Sequence, residues 1–198
     1  MQKINELIIA SNNKHKIIEI KAILGEFFQN IYSLQDKNIN VEIEETGTTF
    51  EENAIIKAQY IANLTGIPAL SDDSGLEVKA LGGAPGVYSA RYAGEPSDSN
   101  KNNEKLLKEL KNVSDRTANF TSVIAICFPN GETITAKGQT FGSILTAPQG
   151  NNGFGYDPLF FSNDLNKCFG IATSEEKNAV SHRGRALQNL KNILTVNK

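Results

Sequence analysis

The chain of 198 residues is 39% hydrophobic and 21% charged with a formal net charge of −2, the profile of a globular protein large enough for one domain, or for one core divided between two lobes. Near-neutrality excludes a bulk nucleic-acid binder working through a global basic field, so an anionic ligand must be met by local positive groups. Cys127 and Cys168 stand far apart without C-x-x-C or metal-ligand spacing, and the apolar Leu7–Ala10 is too short for a signal core or a membrane span; together these predict two reduced, buried thiols and a cytoplasmic protein.

In chain order, "ELIIA" predicts a first buried strand and "SNNKHK" a polar loop after it. Ile17, Ile20, Leu24 and Phe27 then recur at helical spacing, giving strand, loop, helix. "NIYSL" and "NVEIEE" predict two more short strands. Thr49 and Glu52 stand at capping-box spacing before "NAIIKAQYIANL", a helix that should end near Gly66. Pro68 to Leu70 predicts a short strand delivering Asp72 and Asp73 at its C-terminal end, with a sharp turn at Ser74-Gly75. "LGGAPGVYSARYAG" reads as a structured loop and "SNKNNEKLLKELKNV" as an amphipathic helix. "NFTSVIAICF" and "ETITAKGQTFGSIL" flank "PNG" as the arms of a hairpin. Thr173 and Glu176 offer a second capping box, Ser181 a further N-cap, and Ala186, Leu187, Leu190 and Leu194 an apolar stripe on the last helix. The sum is a mixed α/β chain, with no repeat and no linker dividing residues 1–198.

Asp72 and Asp73 raise an electrostatic question. Adjacent like charges beside a buried run repel each other unless a positive charge, not evident nearby in the sequence, offsets them. Several segments bear on that. The loop after the first strand offers hydrogen-bond donors in Ser11, Asn12 and Asn13 and charge in Lys14 and Lys16, the composition of an anion cradle at a helix start. An N-cap followed by two solvated lysines would use the same residues, and the Walker A pattern is absent. "EETG" places Glu44 and Glu45 before Gly47; either, with Asp72 or Asp73, would supply the one or two carboxylates that Mg2+ takes beside phosphate oxygens. "NNGFGYDPLF" carries two aromatic faces, Phe154 and Tyr156, that suit a planar base. Asp157 in that loop suits polar edges of a ligand or a brace for the turn. "EEKNAVSHRGRAL" brings Lys177, His182 and Arg183 to a helix boundary, a cationic set fitted to a base or a phosphate. The combined theme is a nucleotide with several phosphates.

The blocks "ASNNKHK", "EETGTTFEENAIIKA", "SDDSGLEVKALGGAPGVYSARYAG", "GFGYDPLF" and "EEKNAVSHRGRAL" follow one another in that order. In this the chain resembles the inosine/xanthosine triphosphate pyrophosphatase family, the Ham1-like non-canonical purine nucleoside triphosphate pyrophosphatases. The resemblance implies an elongated two-lobed α/β fold, a mixed sheet flanked by helices, an active-site cleft between the lobes, and usually a homodimer. It implies Mg2+-dependent hydrolysis of ITP, dITP or XTP to the monophosphate and pyrophosphate, which cleanses the nucleotide pool. Carried onto this chain, Ser11, Asn12, Asn13, Lys14, His15 and Lys16 match the triphosphate loop. Asp73 matches the catalytic acid that also holds the metal, and Glu44, with Glu45 beside it, the metal-binding glutamate. Ser74, Phe154, Gly155, Tyr156, Asp157, Lys177, His182 and Arg183 match substrate contacts, and Asp72 reads as an acid orienting the metal's waters. Where many members have Thr-Gly-Asn in the first loop, this chain has Ser11-Asn12-Asn13. The cationic donors of the last block would favour the 6-oxo group of inosine or xanthosine over the adenine amino group. A Maf-type nucleotide pyrophosphatase and a nucleotide sensor without hydrolysis are the rival readings.

Overall fold

The computed structural model describes residues 4–196, without the side chains of Ile4, Lys14, His15 and Glu19. Its strands are β1 (Ile4–Ile9), β2 (Phe28–Ser33), β3 (Ala69–Val78), β4 (Thr117–Cys127), β5 (Thr133–Ile144), β6 (Phe160–Ser162) and β7 (Lys167–Cys168). Its α-helices are α1 (Lys14–Leu24), α2 (Phe50–Thr65), α3 (Ser99–Glu109), α4 (Ser174–Val180) and α5 (His182–Val196). The strands form one sheet in the order β2-β1-β3-β4-β5-β6-β7. β1 runs parallel to β2 and β3, while β6 is antiparallel to β5 and β7, so the sheet is mixed, as expected.

Helix starts follow the local chemistry. Thr49 accepts from the Glu52 amide while Glu52 reaches back to the Thr49 amide, and Thr173 and Glu176 repeat the arrangement for α4. α2 stops at Gly66, which takes a left-handed φ of 68°, a conformation that costs glycine little.

The chain divides into two compact units, Met1–Asp73 with Ser122–Gly138 and Arg185–Lys198, and Ser74–Thr121 with Gln139–Gly184. In the first, strand alternation sorts the core onto two faces of the sheet. Leu7, Ile9, Leu70, Ile124 and Ile126 pack with Ile20 and Leu24 of α1 and Leu187 and Leu190 of α5. Ile8, Ala10, Ala69, Ala125 and Cys127 pack instead with Ala54, Ala58, Ile61 and Ala62 of α2. The second unit buries Leu76, Val78, Phe120 and Ile144 against Leu106, Phe160 and Phe169.

Two expectations are corrected. "NVEIEE" forms no strand; Val41 and Ile43 satisfy their alternation by packing beside α2 without a partner strand. The run before the Asp pair is neither short nor followed by a turn, because β3 continues through Asp72, Asp73, Ser74 and Gly75 to Val78. Serine and glycine are weak strand formers in isolation, but Leu76 and Val78 beyond them are fully buried, and that burial holds the strand on course. Cys127 and Cys168 are fully buried and unpaired by disulfide, and burial pushes both thiols above their ordinary pKa.

Candidate active site

In the first unit the site grows from the point where β1 ends and β3 goes on. The two strands pair at Ile8–Ala69 and Ile9–Leu70, and the last bond joins the Ala10 amide to the Leu70 carbonyl at 2.7 Å. Beyond it the chain turns into the Ser11–Asn13 loop, leaving Asp72 and Asp73 past the end of the pairing. β1 connects outward to β2 while β3 lies on its other side, so this is a topological switch point, where open α/β sheets place ligands.

The loop is ordered by its own side chains. The Asn13 amide donates to Ser11 Oγ at 3.2 Å, and Asn13 Oδ1 accepts from the Lys16 amide at 3.3 Å, so Asn13 caps α1. Lys14 and His15 open that helix, and their side chains lie outside the described residues. A cavity of about 510 Å³ beside the loop is lined by residues including Ser11, Asn12, Ser33, Gln35 and Asn38. Among the described residues no charged side chain lines it.

The positive charge that the Asp pair requires comes from two lysines. Lys16 Nζ stands 2.9 Å from Asp72 Oδ1, and the Asp72 side chain is 1% exposed. Lys57 Nζ, on α2, stands 3.3 Å from Asp73 Oδ1 and 2.6 Å from Glu45 Oε1. Burial pulls Lys57 down, but Asp73, the Glu45 hydrogen bond and the Glu45 and Asp72 charges outweigh it, and its pKa lies above the usual lysine value. Burial likewise raises Asp73; Lys57 opposes the rise and the Glu45 charge adds to it, and the net pKa is above the ordinary aspartate value. Asp73 Oδ2 is buried and has no hydrogen-bond partner among the described residues, while Asn53 contributes a smaller lowering influence on the carboxyl.

α2 also fixes the acidic segment. Asn53 Oδ1 accepts from the Gly47 amide at 2.8 Å, one helical turn before Lys57 takes Glu45. A Cβ at Gly47 would stand 2.6 Å from Asn53 Oδ1, which is why "EETG" ends in glycine. Glu44 is exposed and makes no ion pair or side-chain hydrogen bond among the described residues. Neither Lys57 nor Asn53 stands out in the sequence; the available signal was a lysine on the α2 helix one turn after an asparagine, flanked by Ile56 and Ala58.

The second unit assembles the other predicted residues. Phe154 is 60% exposed whereas Tyr156 is 5% exposed, so only one of the two expected aromatic faces is open. Tyr156 packs into the core, and its hydroxyl donates to the Ser89 carbonyl at 2.8 Å. Asp157 braces the turn: its Oδ2 accepts from the Phe154 amide at 2.7 Å and from Lys177 Nζ at 2.5 Å. A Cβ on Gly153 would meet that same Oδ2 at 2.1 Å, and its φ is +75°; only glycine fits there. Gly155 accepts on its carbonyl from Asn103 of α3 at 3.0 Å. Lys177 Nζ lies 4.5 Å from the Phe154 ring centroid. His182 stacks on Phe120 with centroids 5.0 Å apart, and His182 and Arg183 are both buried at the start of α5. Ser181 Oγ accepts from the Gly184 amide at 3.0 Å, the cap expected at that helix start. Ser74 follows Asp73 in β3 and is half-buried.

A model of the Ham1 family matches residues 7–193. A dITP/XTP pyrophosphatase of Clostridium perfringens is 54% identical over 197 residues, covering 96% of this chain and 97% of that one. The dITP/XTP pyrophosphatase of Bacillus subtilis is 47% identical over 191 residues, covering 96% of each. Among solved structures, the Staphylococcus aureus Ham1 protein superposes with a TM-score of 0.92 at 43% identity, covering 98% of this chain and 100% of that one. A dITP/XTP pyrophosphatase of Mycobacterium abscessus gives a TM-score of 0.81 at 42% identity over 93% of this chain and 98% of its own.

Proposed function

The chain belongs to the Ham1 family, and from that premise we infer that it hydrolyses non-canonical purine nucleoside triphosphates such as dITP and XTP to the monophosphate and pyrophosphate. The observation that carries the chemistry is Asp73: a buried carboxylate with one oxygen facing Lys57 and the other without a hydrogen-bond partner among the described residues. Its raised pKa favours proton acceptance. In this reading Asp73 Oδ2 takes the proton of the water that attacks the α-phosphorus, and the bond from the α-phosphorus to the bridging oxygen breaks. Lys16 and the amides of the Ser11–Asn13 loop meet the charge gathering on the departing pyrophosphate. Lys57 keeps Asp73 and Glu45 from repelling each other while that charge moves.

The donor set fits a hard divalent cation, Mg2+ by its chemistry. Glu45 is committed to Lys57, which leaves the uncommitted carboxylate of Glu44, with Asp73, as the protein's share. No group of three or more His, Cys, Asp and Glu able to hold a metal exists among the described residues; in this reading phosphate oxygens and water complete the ion's shell. When bound, such an ion supplies charge neutralisation at the phosphates.

Phe154 offers the stacking face for the base, and Lys177, His182 and Arg183 the donors that prefer a 6-oxo purine. Asp157 and Tyr156 hold that loop in place. The reading includes a homodimer and a cytoplasmic enzyme that clears these nucleotides from the pool; no helix among the described residues is long and apolar enough to cross a membrane. Pyrophosphate release from dITP and XTP should exceed that from dATP and dTTP and should cease with EDTA. Equal rates on all four, or release of single phosphates, would overturn the assignment.

A further inference from the structure

Neighbouring residues of a strand face opposite sides of the sheet, and the Asp pair follows that rule. Asp72 shares the side of Leu70, which packs with α1 and α5; Asp73 shares the side of Ala69, which packs with α2. Each carboxylate accordingly meets a lysine from the helix on its own side, Asp72 with Lys16 of α1 and Asp73 with Lys57 of α2. Asp72 therefore points to the opposite side of β3 from Asp73; its charge is felt at Lys57, but its carboxylate is engaged by Lys16.

We infer that Asp72 is a positioning residue that acts through Lys16, holding its ammonium at the C-terminal end of β1 for the triphosphate. Three observations carry this. Asp72 is nearly fully buried, so its charge depends on a partner. The Lys16 side chain is 20% exposed, so it is not sealed in with Asp72. The Lys16 backbone is pinned as well, its amide donating to Asn13 Oδ1; loop and lysine are set together before substrate arrives, which lowers the ordering cost of binding. A long, flexible lysine on a helix surface would otherwise sample many rotamers.

The inference rests on the triphosphate reading, and the test separates the two. Wild-type turnover of dITP checks that reading alone. Asp72→Asn removes a negative charge near a polyanion, so a purely electrostatic role would lower KM. Positioning through Lys16 instead raises KM for dITP about tenfold, with kcat changed much less and the Mg2+ dependence unchanged. In a Lys16→Met background, adding Asp72→Asn should change kcat/KM less than about twofold, because the pair acts as a unit. Multiplying losses, a lowered KM, or a shifted Mg2+ requirement in Asp72→Asn would each overturn the proposal. Lys16→Met alone strands a buried carboxylate and should unfold at lower temperature than the double variant; the double variant, having lost both charges, keeps the comparison measurable even if a single variant folds poorly.

Discussion

Asp73 and Asp157 are both buried carboxylates with a lysine partner, yet they are built for different ends. Asp157 spends one oxygen on two donors, the Phe154 amide and Lys177, and Gly153 leaves just enough room for it. Asp73 meets Lys57 at 3.3 Å on one oxygen and keeps the other buried without a hydrogen-bond partner among the described residues. The first carboxylate is satisfied and shapes a loop. The second is held at a cost, with its pKa raised by burial, which is the condition expected of a group that must take up a proton in a reaction.

The sharpest way to break that comparison is Asp73→Asn, which should lower turnover by about 10²-fold or more. The same variant should not lose stability at neutral pH. Because the folded pKa lies above the unfolded value, the native state binds more protons between the two, so stability falls as pH rises through that window and the ionised group is a net cost above it. The raised value belongs to the metal-free protein, so the stability comparison is made without Mg2+, while wild-type kcat/KM should fall on the acid side as Asp73 is protonated. Calorimetry with a pH–rate profile checks both; a destabilised, fully active variant would make Asp73 another Asp157.

Much of this frame was legible beforehand. The two capping boxes, the hairpin around "PNG" and the cap at Ser181 depend on a few neighbouring residues, and sequence displays such local chemistry directly. What escaped depended on tertiary contacts. Lys57 looks like the polar face of an ordinary helix until α2 packs over the side of the sheet that carries Asp73. Ser74-Gly75 looks like a turn until burial of Leu76 and Val78 carries the strand through. Tyr156 looks like a second stacking ring until the core claims it. The alternation that sends Asp72 and Asp73 to different sides was itself readable from a period of two, had the strand's length been known.

The acidic segment sharpens the contrast at a finer level. Glu44→Gln should raise the Mg2+ concentration needed for half-maximal activity by about 10-fold or more, whereas Glu45→Gln should leave that concentration alone and reduce kcat, because it disturbs Lys57. Metal titrations of the two variants side by side distinguish these, and identical profiles would dissolve the distinction. The smallest catalytic effect belongs to Asp157→Asn. Breaking its buried pair with Lys177 should cost about 2–4 kcal/mol of stability, seen in denaturant unfolding, and change kcat only a few-fold while KM rises.

The sealed thiols have a practical meaning. Cys127 and Cys168 are fully enclosed, and their thiolates are disfavoured by burial, so alkylating reagents and peroxides have little to attack while the fold is intact. Labelling then becomes a clock for opening of the chain, with Cys127 reporting from the sheet of the first unit and Cys168 from the edge strand of the second.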